Sequence, residues 1–186
     1  MEYKLFMALL GCKPAGRNIE QHDIFFGIAK QLKDLIPQIQ AFWPNSGKIH
    51  LDGYKIVSNV YGHEIRIKEK STLQENENKL FFINLGGYKQ NEFEEFHYKI
   101  LSIATKKEDA IKAAKQTVFF KHTGFGKQAT SHIDDKYGID VDDIYNIEEI
   151  LSDSFKQNFS IHISTEKNED LLEDELHLGY FKLDSL

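Results

Sequence analysis

Cysteine is nearly missing from this 186-residue chain: Cys12 is the single one, so no disulfide can close within it. One thiol fits a reducing compartment. Long apolar runs are missing too. The stretch Leu5–Leu10 is too short for a signal-peptide core, and nothing approaches the 18 apolar residues that a membrane-spanning helix needs. The expected location is therefore the cytoplasm, with no membrane partner. Positive charge is in deficit, 23 basic residues against 29 acidic ones, for a net charge of -6. A negative field repels phosphate backbones, so nucleic acid is not expected as a partner.

What the chain does have is the means to fold. Its residues are 41% hydrophobic and 28% charged, and 14 Phe and 8 Tyr can bury a large apolar area.

The strongest pattern is internal. Placing Lys4-Leu5-Phe6 over Lys79-Leu80-Phe81, an offset of 75, aligns Leu10-Gly11 with Leu85-Gly86, Glu20 with Glu95, His22 with His97, Ile28-Ala29 with Ile103-Ala104, and Asp34 with Asp109. These are ten identities over positions 4–34, where about two are expected from average residue usage. Further on, His50-Leu51-Asp52 matches His132-Ile133-Asp134 at an offset of 82, which places a seven-residue insertion in the glycine-bearing stretch 121–131. The expected organisation is a first repeat over 1–70, a polar connector over 71–78, a second repeat over 79–165 and an acidic tail over 166–186.

Each copy helps to read the other. Thr105 and Glu108 form a capping box that starts a helix near Lys106, carried on by Ala110, Ile111, Ala114 and Val118. The preceding stretch from Glu95 to Ala104 reads as a strand. By transfer, His22–Ala29 is a strand and a helix begins near Gln31, with Pro37 kinking or splitting it. Lys48–Val60 and His63–Lys68 follow as strands around a Tyr61-Gly62 turn. Asn158–Ser164 is the expected last strand of copy two. In 140–152 the spacing of Ile144, Ile147, Ile150 and Leu151 favours a helix, and the tail ends in a possible edge strand over 176–183. The fold class is α+β: two tandem β-β-α-β-β repeats with mostly antiparallel sheet, packed as one pseudo-twofold globule.

Leu10-Gly11, Glu20-x-His22-Asp23, Trp43 and His50-x-Asp52, echoed by Leu85-Gly86-Gly87, Glu95-x-His97 and His132-x-Asp134-Asp135, resemble a small bacterial family catalogued as domain of unknown function 1543. The resemblance spans roughly residues 4–165 and implies the fold and a bacterial source. It implies no activity. Cys12 departs from the second copy, where Gly87 stands.

The chemistry-bearing candidates are the matched sets Glu20, His22, His50 and Asp52, and Glu95, His97, His132 and Asp134. Alternate residues of a strand share a face, so Glu20 and His22 point the same way, as do His50 and Asp52, with Tyr54 and Ile56 on that second face. If the two strands meet, each copy gathers two imidazoles and two carboxylates, a set suited to zinc, manganese or iron, or to an acid/base pair. Such pairs also satisfy one another at sheet ends and fix register, which is the commoner role.

Other signals fail on their own terms. The 122–128 stretch lacks the first glycine and the final hydroxyl of a phosphate-binding loop, so no nucleotide motif is present. The acidic run 134–143 has isoleucine at both calcium-ligand ends. Cys12 lies near Lys13 and Arg17, cations that lower a thiol pKa, but it has no paired base. The leading expectation is a non-enzymatic module that binds a protein or small ligand at the junction of the repeats. The alternative is a metal-binding protein or metal-dependent enzyme built on the eight residues, with a divalent transition metal as cofactor.

Overall fold

A computed structural model describes residues 2–70, 77–88, 91–122 and 139–186. Mixed helices and antiparallel sheets make the chain α+β. It divides into two compact units, Met1–Gln74 with Ile150–Leu186, and Glu75–Glu149.

The first unit opens with β1 (Lys4–Cys12) and β2 (Gln21–Ala29), paired antiparallel from Lys4↔Ala29 to Cys12↔Gln21. A 3-10 turn (Leu32–Leu35) then passes into α1 (Ile36–Phe42). Pro37 sits in the first turn of α1, where its missing N–H costs nothing, so the expected long helix is split there. β3 (His50–Ile56) returns on the free side of β1. Phe6, Ala8 and Leu10 of β1 face Phe25, Ala29, Leu35, Ile39 and Leu51 in one buried cluster, so the helix covers one face of the sheet. β4 (Asn59–Val60) and β5 (His63–Glu69) turn through Tyr61 and Gly62, both at positive φ (53° and 84°), as the tightest hairpin turn requires.

In the second unit, β6 (Lys79–Tyr88) and β7 (Glu95–Ala104) pair from Lys79↔Ala104 to Tyr88↔Glu95. α2 (Lys107–His122) follows and buries Ala110 and Ala114 against Phe81, Ile83, Leu85 and Ile100. β8 (Ile139–Asn146) then takes the free side of β6. The two sheets share an order, β2-β1-β3 and β7-β6-β8. They also share a register: Gly11↔His22 and Gly86↔His97 are 75 residues apart on both strands.

The chain continues through α3 (Ile147–Ile150), α4 (Asp153–Asn158), β9 (Phe159–Ile163), β10 (His177–Lys182) and a final 3-10 turn (Leu183–Ser185). Three expectations change here. The first half of 140–152 is strand, because Ile144 pairs with Ile83 at the third-strand place beside β6. β9, expected to close the second copy, pairs instead with β5, with Ile65 and Ile67 opposite Ile163 and Ile161. The acidic tail belongs to the first unit: Leu183 is buried in its core, and Phe181 packs on it. The Asp174 carboxylate anchors the tail by accepting bonds from the Ser58 hydroxyl (2.6 Å) and the Asn59 N–H (3.1 Å). β10 thereby becomes the edge strand in the order β10-β3-β1-β2. Among the described residues no helix is long and apolar enough to cross a membrane.

Candidate metal centre in the first unit

The centre is built around a residue with no side chain. Gly11, on the middle strand, has His22 of β2 as its partner on one side and His50 of β3 on the other. Paired residues share a face, so both imidazoles rise on the same side of the sheet, opposite the helix. Glu20, two residues before His22, joins them.

Asp52 reaches the same place through a β-bulge. Leu51 pairs with Leu10 and Gly53 pairs with Leu9, which leaves Asp52 as the extra residue. A bulge re-aims a side chain and shifts the alternation beyond it. Tyr54 and Ile56 accordingly pack against the helix-side core, away from His50 and Asp52. Strict alternation had put all four on one face, and the bulge is why it failed.

The four side chains converge. His22 Nε2 lies 3.0 Å from Asp52 Oδ2 and 3.6 Å from Glu20 Oε2. His50 Nε2 lies 3.2 Å from both Glu20 Oε1 and Asp52 Oδ1. Nitrogen and oxygen thus alternate around a closed ring. Its floor is Gly11, where a Cβ would stand 2.5 Å from His50 Nε2 and 2.6 Å from Asp52 Oδ2.

Burial is graded across the ring. The His50 side chain is 5% exposed, whereas those of Glu20 and His22 are 43% and 46% exposed. The Tyr180 ring of β10 lies against the His50 ring, centroids 4.2 Å apart. Despite the short separations, His50 Nε2 and Asp52 Oδ2 are buried without a directed hydrogen bond. Hydrogen-bonded imidazole–carboxylate pairs aim at each other; these two atoms do not.

In the second unit the same scaffold ends differently. A bulge between Asn84 and Leu85 makes Asp142 the extra residue of β8, and a Cβ on Gly86 would stand 2.5 Å from Asp142 Oδ2. Asp142 therefore takes the place of Asp52. The register partner of Gly86 is Asp140, in the place of His50. The sequence match to His132 and Asp134 points elsewhere, and those two residues lie outside the described ones, as does the glycine-bearing insertion beyond His122. Sequence reasoning missed Asp140 and Asp142 because a bulge and an insertion of uncertain length precede them. The signal available was the run Asp140-Val-Asp142, which keeps the spacing of His50-x-Asp52 with an acid in place of the histidine.

His97 Nδ1 lies 3.2 Å from Asp142 Oδ2. Asn84, where the first unit has Leu9, reaches both: its amide nitrogen is 3.3 Å from His97 Nδ1 and donates to Asp142 Oδ2 at 3.4 Å. Burial pushes the Asp142 carboxyl above its ordinary value, opposed by His97 and reinforced by Glu95. Burial, and then the charge of Glu20, pushes the Cys12 thiol up. Its basic neighbours in sequence do not activate it.

Residues 17–67 match the family model of the Domain of Unknown Function (DUF1543). The DUF1543 stretch holds Glu20, His22, His50 and Asp52 together. A crystal structure of a protein Il1583 from Idiomarina loihiensis is similar at 21% identity and a TM-score of 0.66, over 98% of this chain and 98% of that one, a likeness of fold. No curated protein matches the chain.

Proposed function

We propose that the protein is a metal-binding module, with Glu20, His22 and Asp52 holding one divalent transition-metal ion and His50 closing the ring of polar groups beside it. The observation that carries this is that one donor atom from each of Glu20, His22 and Asp52 lies within 4.8 Å of the other two, with Asp52 Oδ2 buried and without a directed hydrogen bond. A buried polar atom without a partner costs about 1–3 kcal/mol, and an ion at the centre of the ring would remove that cost.

The spacing agrees. Metal–ligand bonds of 2.0–2.2 Å place neighbouring donors about 2.8–3.6 Å apart in tetrahedral or octahedral arrangements. The contacts around the ring run from 3.0 to 3.6 Å, and one donor atom from each of Glu20, His22 and Asp52 lies within 4.8 Å of the other two. Two carboxylates balance a divalent charge, and a mixed N/O set suits zinc, iron or manganese. The competing structural role, a hydrogen-bonded pin for strand register, would align each donor with its acceptor. This reading takes up the alternative that the sequence offered, a metal-binding protein, in place of its leading expectation, a module that binds a protein or small ligand at the junction of the repeats.

Elemental analysis of full-length protein, purified without chelator or affinity tag, tests the reading. About one equivalent of zinc, iron or manganese is expected, lost in His22→Ala and Asp52→Ala. Protein that arrives metal-free and takes up no zinc or cobalt at micromolar concentration would overturn it.

A further inference from the structure

The ring of donors has two unlike sides. Below it runs β1, with Gly11 so close that even a methyl group would collide with His50 and Asp52. Above it Glu20 and His22 are nearly half exposed, whereas His50 at the other side of the ring is sealed. An ion held by Glu20, His22 and Asp52 is therefore closed from beneath and reachable from above. Protein sites that hold an ion purely for structure surround it, while those that act through it leave a position for an exchangeable ligand.

The approach has one apolar flank. On β10, Phe181 packs into the helix-side core while the Tyr180 ring lies on His50, so Tyr180 stands on the face of the donors. One row away, Gly53 pairs with both Leu9 and Leu178, and a Cβ on Gly53 would meet Leu178 Cδ2 at 2.9 Å. Leu178 therefore lies on that face too. Both are large and apolar, with 65% and 69% of their surface exposed. The missing side chain at Gly53 keeps the floor between them and the donors low.

We infer that the ion keeps a coordination position open on this side, and that the position takes a small oxygen-donor anion whose apolar or aromatic body packs on Tyr180 and Leu178. The inference rests on the metal-binding reading above and goes beyond it by naming the ligand class. An oxygen-donor anion suits a site already half oxygen, since a harder ion prefers such ligands. The flat Tyr180 ring offers offset stacking to an aromatic body at little entropic cost.

Cobalt(II) as a spectroscopic stand-in, with two hydroxamates as probes, tests this on the full chain. Adding cobalt to metal-free protein should give visible d–d bands, and azide or acetohydroxamate should shift them while the cobalt stays bound through desalting. Benzohydroxamate should bind about three- to tenfold more tightly than acetohydroxamate. Tyr180→Ala should erase most of that preference and leave acetohydroxamate affinity within about twofold. Leu178→Ala provides the same readout should Tyr180→Ala disturb His50. Cobalt bands that neither azide nor hydroxamate alters would show a saturated ion and overturn the inference while the metal site stands. Equal affinity for the two hydroxamates in wild-type protein would overturn the apolar flank. Absence of cobalt bands would remove the metal site itself, and this inference with it.

Discussion

The two units put an acid on the same bulge, above the same glycine, beside the same histidine position, and reach different chemistry. In the first, His50 completes a ring of four donors, two of whose buried atoms lack directed hydrogen bonds. In the second, the partner of the central glycine is Asp140, and Asn84 reaches both His97 and Asp142. An amide that satisfies a carboxylate removes the reason for an ion. A scaffold can thus fix where polar groups meet, while the residues at two positions decide, on the proposed reading, whether they hold a cation or each other.

The largest expected effect breaks this contrast at its floor. Gly11→Ala drives a methyl group into His50 and Asp52 and should abolish metal uptake, with about 1–3 kcal/mol of destabilisation from overpacking. Gly86→Ala should destabilise comparably through Asp142 and leave the metal content unchanged. Elemental analysis alongside thermal melts separates the two outcomes. Next in size, His22→Ala should weaken zinc binding by about a hundredfold or more, since even outer partners of ligands are worth 10–100-fold. A competitive chelator titration measures it.

The contrast sharpens if it can be reversed. Asn84→Leu with Asp140→His gives the second unit the residues of the first, and a second equivalent of bound metal is the expected result in the same titration. A smaller effect follows from Asp142. Its carboxyl is raised above the ordinary 3.8, so the folded state holds the proton more tightly than the unfolded chain does. That contribution is full below 3.8 and lost as the pH rises through the raised value. Asp142→Asn should therefore gain melting temperature relative to wild type on moving from acidic to neutral pH. Smallest of all, the buried thiol of Cys12 should resist iodoacetamide at neutral pH in native protein and react at once in denaturant.

Much of the fold was legible because periodicity is local. The helix after Thr105, the break at Pro37 and the Tyr61-Gly62 turn each follow from a few neighbouring residues, whereas the strand over 22–29 was read only by transfer from its match in the second copy. Ile144 was misread because its spacing from Ile147 and Ile150 also suits a helix, and only β6 alongside makes it a strand. The partner of β5 could not be read either, since β5 and β9 are nearly a hundred residues apart and either unit could have claimed β9.

The candidate site divides along the same line. By itself the sequence determined which residue types were available, that Glu20 and His22 share a face, and that an acid lies two residues after His50. Convergence was decided by the tertiary structure. Gly11 had to bring β2 and β3 to its two sides, and an extra residue in β3 had to turn Asp52 over the glycine while sending Tyr54 to the opposite face. Pairing partners and bulges are properties of two strands together, so no single stretch of sequence carries them.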